Sequence, residues 1–317
     1  MHVILGSGGA IATPLAHDLA GYAEHVRCVS RSPHPLPSAA GAPPSVAYEH
    51  VAADLLSADA VRAACVGAST VYLTAGLAYD TRVWREQWPV VVANVLAACE
   101  AVGARLAFFD NAYAYSPAGY ARLTEDTPLD PDSQKGAVRK AVRDTLLDAH
   151  AAGRVPVAIA VAADFYGPGV ANSLLLELVA KRIAAGNTAQ WLGDPDLPHS
   201  FTYTLDAARD FARLAADERA YGEAWHLPTV AEPWSARTWA QRFGERLGGP
   251  TGVARLPRWL WWSVARVNRP LRELYDVRAQ VLAPFVFDSS KFERAFGAAP
   301  TPHAEGLAAV CATLSAG

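Results

Sequence analysis

The stretch Val3-Ile4-Leu5-Gly6-Ser7-Gly8-Gly9-Ala10-Ile11-Ala12 decides the fold class. Residues 3–5 are apolar, read as a buried strand, and run straight into a glycine turn. Ile11, Leu15 and Leu19 then recur at spacing four, as on one face of a helix. A strand that feeds Gly6-x-x-Gly9-x-x-Ala12 and then a helix has a definite physical use. The glycines let the backbone turn tightly and approach a pyrophosphate, whose charge meets the N–H groups that open the helix. Ala12 keeps helix and sheet in close contact. Gly6, Gly9, Ala10 and Ile11 are therefore candidate phosphate-cradling positions.

Outward from this turn the strand–helix rhythm repeats. Residues 26–29, 46–51, 70–73, 105–109 and 155–161 read as strands, and 55–65, 84–102 and 138–150 as helices, with a break expected near Pro89. Residues 33–44 form a Pro-rich loop without periodicity. Apolar strands alternating with helices, with little period-two patterning, predict an α/β chain with a parallel sheet covered on both faces. After residue 164 the rhythm changes. Helical patterns over 174–185, 207–216, 235–247 and 259–281, with short strands at 201–203 and 225–227, predict a smaller, mainly helical lobe. The expected division is 1–164 for a dinucleotide-binding domain and 165–317 mostly for a substrate lobe, with some segments returning to the first domain.

The 317 residues are 51% hydrophobic and 19% charged, so a substantial core is available. A formal charge of -3 argues against broad phosphate-backbone binding and hence against a nucleic-acid partner. Cys28, Cys65, Cys99 and Cys311 form no CxxC pair and no structural-zinc spacing, so no metal is expected. They read as buried thiols of a reducing compartment. No basic stretch precedes an apolar signal core, and the longest uncharged apolar run, 88–99, is too short to span a bilayer. A cytoplasmic location without membrane attachment is the expectation.

The end of the second strand bears on the cofactor. A site for NAD usually places a carboxylate there, for the ribose 2′-OH. Here Ser30-Arg31-Ser32 stands instead, with no acid between Val26 and His34. A guanidinium and two hydroxyls are good phosphate partners, which favours NADP(H) over NAD(H). Asp54, followed by Leu55, either accepts from the adenine amino group or caps the helix that begins near Ser57. Ala75-Gly76 fits close backbone passage beside the cofactor.

With these residues in view the chain resembles the extended short-chain dehydrogenase/reductases, specifically the NAD-dependent epimerase/dehydratase branch, with its Rossmann-like sheet. The resemblance is carried by the Gly6 turn, Asp54, Ala75-Gly76, and Phe109-Asp110-Asn111-Ala112-Tyr113-Ala114-Tyr115. It continues through Thr124-Glu125-Asp126-Thr127-Pro128-Leu129, Asp164-Phe165-Tyr166-Gly167-Pro168-Gly169 and Phe201-Thr202-Tyr203-Thr204-Leu205-Asp206-Ala207-Ala208. In that family a Ser or Thr orients the substrate oxygen, a Tyr moves the proton, and a Lys four residues on holds the nicotinamide ribose. The aligned positions here hold Asn111, Lys135 and Arg139, so the chain is an atypical member.

The resemblance implies Lys135 as the proton donor, Asn111 as the orienting amide and Arg139 on the ribose. Lysine can give a proton and an amide can donate to a developing oxyanion, whereas arginine stays charged. Tyr113, Tyr115, Tyr166 and Tyr203 are alternative proton carriers, Tyr113 lying two residues past Asn111. Ala163 and Phe165 join Lys135 among the cofactor contacts that the resemblance implies. Asp110 reads first as a structural acceptor for backbone N–H groups, and Asp206 as a helix cap.

For the substrate, residues 191–200 are acidic and apolar, with only His199 as a possible cation, which argues against a nucleotide-diphosphate substrate. Tyr79, Trp84, Tyr113, Tyr166, Asn172 and Tyr203 are the candidate substrate contacts, suited to a largely uncharged carbonyl or alcohol. The first reading is thus an NADP(H)-dependent oxidoreductase. The alternatives are an epimerase or dehydratase with tightly held cofactor, or a catalytically inactive cofactor-binding regulator. A homodimer through helices 84–102 and 138–150 is implied by the family. Trp259, Trp261 and Trp262 read first as packing for the second lobe. Arg258, Arg266, Arg269 and Arg272 beside them suit a membrane-surface helix, against which Glu273, Asp276 and the short apolar run count.

Overall fold

A computed structural model of the chain describes residues 1–32 and 46–315. The loop expected over 33–44 lies outside these residues. In chain order the elements are β1 (His2–Leu5), α1 (Ala12–Asp18), β2 (His25–Ser30), β3 (Ala47–Ala52), α2 (Ala58–Cys65), β4 (Thr70–Leu73), α3 (Thr81–Val102), β5 (Arg105–Asn111), α4 (Gln134–Ala151), β6 (Val157–Ala162) and β7 (Asp164–Tyr166). There follow α5 (Lys181–Ala184), β8 (Ala189–Leu192), β9 (Phe201–Tyr203), α6 (Thr204–Ala216), β10 (Ala224–His226), α7 (Ala236–Leu247) and β11 (Val253–Leu256). The chain closes with α8 (Arg258–Ala265), α9 (Arg269–Asp276), α10 (Arg278–Leu282), α11 (Ser290–Phe296) and α12 (His303–Ser315). Two compact units emerge, one of Met1–Asn111, Val138–Val161 and Ala207–Leu227, the other of Ala112–Ala137, Ala162–Asp206 and Pro228–Gly317.

The first unit is built on a seven-stranded sheet in the order β10-β6-β5-β4-β1-β2-β3. β1 lies parallel between β2 and β4, with Ile4 opposite Cys28 and Tyr72. All six residues of β6, Val-Ala-Ile-Ala-Val-Ala, are buried, the signature of a central parallel strand covered on both faces. The sheet is thus the doubly covered, Rossmann-like one that the alternating pattern predicts. The expected break at Pro89 is absent, because α3 runs unbroken through it. An interior proline costs about 3 kcal/mol. Trp84, Trp88, Val91, Val92, Val95 and Leu96 are buried on the same helix, each worth about 1.5–3 kcal/mol, so packing wins. The ends are firm: Asp80 Oδ1 accepts from Arg82 N at 2.9 Å and Val83 N at 3.1 Å, and Gly103 closes the helix at φ +68°.

The second unit carries two short parallel pairs, β7 with β9 and β8 with β11. Its core joins Tyr166, Leu175, Val179, Trp191, Phe201, Trp239 and Phe243. Trp239 stacks on Phe243 at 5.7 Å and meets Tyr166 edge-on at 5.0 Å. The helical run expected over 259–281 is divided into α8, α9 and α10. Asn268 starts α9 by accepting from Leu271 N at 3.1 Å, and Pro270 sits in its first turn.

Candidate functional site

The glycine turn of the first unit behaves as its sequence requires. Gly6 N and Ser7 N both donate to Val29 O, at 2.9 and 3.0 Å, which folds the turn back over β2. Gly6 takes φ +97°, and a Cβ placed there would fall 2.3 Å from Ala75 Cα, backbone against backbone. Only glycine fits. Gly8, Gly9 and Ala10 are exposed beyond it, and no side chain caps α1 at Ile11; in the first turn of α1 Thr13 N donates to Gly9 O at 3.0 Å and Pro14 has no N–H, so a ligand would be met by the turn itself. Ser7 Oγ is buried and has no hydrogen-bond partner among the described residues. A buried orphan hydroxyl at the floor of such a turn fits a phosphate-bearing group.

Ser30, at the end of β2, donates from Oγ to Ser32 O at 2.6 Å and lies 2.9 Å from His50 Nε2. Arg31 and Ser32 are exposed. His50 escapes sequence reading; the signal that finds it is the β2–β3 register, Cys28 opposite His50, which sets it on the same sheet face as Ser30. Asp54 Oδ1 accepts from Leu56 N at 3.0 Å and Ser57 is the cap of α2, so the turn role falls to Asp54 and the helix cap to Ser57. Leu55 O accepts from Asn94 Nδ2 at 2.9 Å. Ala75 is half-buried and Gly76 exposed.

In the same unit Asp110 is fully buried between two guanidinium groups. Arg139 Nε donates to Asp110 Oδ1 at 2.5 Å, Arg143 Nε donates to Asp110 Oδ2, and Asn111 N donates to Oδ1 at 2.8 Å. Burial by itself raises the Asp110 carboxyl; Arg139 and Arg143 outweigh it, and the net shift is downward. The Arg139 guanidinium lies 4.5 Å over the Trp88 ring, 4.9 Å over Phe108 and 5.6 Å over Trp84. A planar, delocalised cation suits that stack as an ammonium does not, which gives arginine a physical reason at this position. Trp84 is thus buried beside Arg139, while Tyr79 meets it edge-on and is exposed. Trp88, Phe108 and Arg143 are members of this cluster that the sequence reading passed over.

In the second unit α4 opens at Ser133, whose Oγ accepts from Gly136 N at 3.0 Å. Gly136 has no room for a Cβ, which would meet Tyr113 O at 2.4 Å. Lys135 is 0% exposed. Its Nζ donates to Glu273 Oε2 at 2.5 Å and to Glu273 O at 2.9 Å. Asp276 accepts from Gln134 N at 3.1 Å and Lys135 N at 2.9 Å, so two carboxylates of α9 hold the start of α4. Glu273 and Asp276 reach Lys135 across 138 and 141 residues of sequence, beyond any motif.

Tyr166 packs between Tyr203 at 5.3 Å and Trp239, and a Cβ on Gly306 would strike its hydroxyl at 2.3 Å. Burial pushes its phenol well above the usual tyrosine range. Tyr166 is core, and Tyr203 is buried beside it; Asn172 is exposed. Ala163 N donates to Thr202 Oγ1 at 3.0 Å. Asp164 Oδ2 lies 2.8 Å from His199 Nε2, an acid–imidazole pair set among Trp191, Phe201 and Phe285. Asp206 accepts from Thr301 N at 2.5 Å and Thr301 Oγ1 at 2.9 Å. Among the described residues no group of His, Cys, Asp and Glu is placed to hold a metal ion. No helix among them is long and apolar enough to cross a membrane.

The profile of the NAD dependent epimerase/dehydratase family matches residues 2–226. No curated protein sequence matches the chain. Among solved structures it is similar to the epimerase Mth375 of Methanothermobacter thermautotrophicus, with TM-score 0.80 and 16% identity over 99% of this chain and 92% of that one. The dTDP-glucose 4,6-dehydratase DesIV of Streptomyces venezuelae, a double mutant with NAD and DAU bound, superposes with TM-score 0.78 at 19% identity, over 99% and 97%. The UDP-glucose 4-epimerase of Thermus thermophilus, in complex with NAD, gives TM-score 0.74 at 18% identity over 99% of both chains. At these identities the likeness is one of fold.

Proposed function

The chain belongs to the NAD dependent epimerase/dehydratase family, and from that premise we propose that it binds a nicotinamide dinucleotide at the Gly6 turn and acts on an alcohol or carbonyl while retaining that cofactor. The sequence by itself points first to a reductase that exchanges NADP(H); family membership favours the retained-cofactor alternative. The observation that carries the reading is a turn in which Gly6 closes on the Ala75 backbone and the neighbouring Ser7 hydroxyl is buried without a partner among the described residues. When bound, the group supplies a reversible hydride acceptor.

Everything else falls to the chain. The N–H groups of Gly9, Ala10 and Ile11 hold the pyrophosphate. Asp54, Leu55, Ala75 and Gly76 line the dinucleotide. Ser30, Arg31 and Ser32 receive a 2′-phosphate, so the preferred cofactor is NADP(H). In the first unit the Asn111 amide orients an oxygen, its backbone fixed by Asp110 below it and by Arg143 Nη2 on its carbonyl at 2.6 Å. In the second unit the proton carrier is Lys135: its Nζ, held by Glu273 Oε2 at 2.5 Å, would give a proton to the oxygen of a carbonyl that receives hydride and take it back when the alcohol is oxidised. His199 is committed to Asp164 and Arg237 to Asp196, which leaves segment 191–200 a poor seat for a diphosphate and supports a largely uncharged substrate.

The test is direct. One portion of purified protein is denatured and the released nucleotides are identified by mass spectrometry; a second portion, freed of nucleotide while folded, is titrated with NADPH and NADH. Release of a nicotinamide dinucleotide and tighter binding of NADPH are expected, followed by substrate conversion without added cofactor. Binding of neither dinucleotide overturns the proposal. A second reading, a cofactor-binding protein without turnover, is favoured by one observation: Lys135 is fully enclosed and gives two of its N–H bonds to Glu273. It predicts dinucleotide binding with no conversion across a broad panel of carbonyls, alcohols and sugar nucleotides.

A further inference from the structure

Within the second unit, residues 255–272 carry Arg255, Arg258, Arg266, Arg269 and Arg272 and not one Asp or Glu, in a chain whose net charge is -3. The same segment holds Trp259, Trp261 and Trp262. The structure divides the tryptophans. Trp261 is buried, donates from Nε1 to Leu271 O at 3.2 Å and meets Tyr275 edge-on at 5.1 Å, so it ties α8 to α9. Trp259 and Trp262, three residues apart on the helix, face outward with 69% and 45% of their surface exposed, and Val267 beyond them is 88% exposed. Arg266, Arg269, Pro270 and Arg272 are exposed beside them.

The two carboxylates that follow along the chain, Glu273 and Asp276, which count against a membrane surface when only the sequence is read, are held by α4. Glu273 is buried on Lys135, and Asp276 is spent on the N–H groups of Gln134 and Lys135. What faces outward is therefore aromatic, apolar and cationic, with the acids on the inner side.

We propose that this α8–α9 face docks on an anionic lipid bilayer, with Trp259, Trp262 and Val267 at the level of the headgroups and glycerol and Arg266, Arg269 and Arg272 on lipid phosphates. Tryptophan prefers that zone because its ring is apolar and its N–H polar, and arginine holds phosphate with a planar fork. A second copy of the chain is disfavoured, because a twofold contact through this face sets arginines against arginines. Nucleic acid is disfavoured by the Arg266 guanidinium, which lies 3.7 Å over the Trp262 ring and covers a face a base would need.

The experiment is co-sedimentation of the full chain with vesicles of phosphatidylcholine alone and of phosphatidylcholine with phosphatidylglycerol. Tryptophan emission is followed in parallel, and an oligonucleotide and gel filtration serve as controls. Binding to the anionic vesicles is expected, with a blue shift, and at least about tenfold weaker binding to the neutral ones or in high salt. Trp259→Ala with Trp262→Ala, and separately Arg266→Glu with Arg269→Glu, are expected to weaken it about tenfold or more while thermal unfolding is unchanged, as befits exposed positions. Arg62→Glu, on α2, is expected to change nothing. Absence of vesicle binding, binding indifferent to these substitutions, tighter binding of the oligonucleotide, or a dimer that Trp259→Ala/Trp262→Ala dissolves would each overturn the proposal.

Discussion

Lys135 Nζ stands 2.5 Å from Glu273 Oε2, joining the first turn of α4 to α9 through a pair in which the lysine is wholly enclosed. A buried ion pair contributes little net stability against a hydrophobic substitute, but breaking it strands a charge. Glu273→Ala is therefore expected to cost about 3–5 kcal/mol in urea denaturation. The double variant Lys135→Met/Glu273→Leu is expected to recover most of that loss. A single-variant cost below about 1 kcal/mol, the range of a solvated pair, would show that the pair is not integral.

Asp110 serves two arginines with one carboxylate. Asp110→Asn keeps the shape and removes the charge, taking from the buried Arg139 and Arg143 guanidinium groups the carboxylate they share. A loss of about 3–5 kcal/mol is expected. Arg139→Lys is expected to cost less, about 0.5–2 kcal/mol, since the charge stays and the stack on Trp88 is lost. Equal losses in the two variants would contradict the stacking account of this arginine.

At the glycine turn the expected outcome separates folding from binding. Gly6→Ala forces a side chain into φ +97° and against Ala75 Cα, and should both destabilise the fold and abolish dinucleotide binding. Ser7→Ala removes only an unpartnered hydroxyl. It should melt no lower than the parent yet bind NADPH about three- to tenfold more weakly, read by calorimetric titration. Unchanged affinity would remove Ser7 from the site.

Arg31→Ala is expected to weaken NADPH about tenfold to a hundredfold and leave NADH unaffected. His50→Ala, which removes one of the partners of Ser30, should follow in the same direction with a smaller effect. Equal losses for both dinucleotides would place these residues away from a 2′-phosphate.

Groups of opposite sign, Asp18 against His303 and His2, shape the acid side of the stability curve. Burial raises the Asp18 carboxyl from 3.8 to about 6, with Arg209 opposing and Asp210 adding. The native state then binds the proton more tightly than the unfolded chain across that window, so the contribution of Asp18 falls as pH rises. Burial lowers His303 from 6.5 to about 4, so its contribution falls as pH drops through that interval. Asp18→Asn is expected to raise the Tm at neutral pH, with the difference closing as pH falls below about 4. A gain that persists at low pH would assign the effect to something other than ionisation.

Much of the fold is local and was legible. The Gly6 turn and the buried strands depend on neighbours within a few residues, and spacing reveals them; the caps at Asp80 and Ser57 are equally local, yet the pattern starts one helix at 84 and offers Asp54 as the cap of the other. Pro89 misleads for the opposite reason: its local cost is outweighed by side chains that pack against distant strands. The same holds for the run over 259–281, where Asn268 and the pull of Trp261 on Leu271 O divide what periodicity joins.

The sequence by itself determined the parallel sheet and the glycine turn, and pointed to Asn111, Lys135 and Arg139 as candidate site positions. Only the tertiary structure decided what those groups are bonded to. Glu273, 138 residues from Lys135, holds its ammonium; Asp110, with Trp88, holds Arg139; and Asp276 is drawn inward from a helix that otherwise presents arginines. The reason is physical. A turn or a cap is fixed by covalent neighbours, whereas the partner of a buried charge is whichever opposite charge the packed chain brings within about 3 Å.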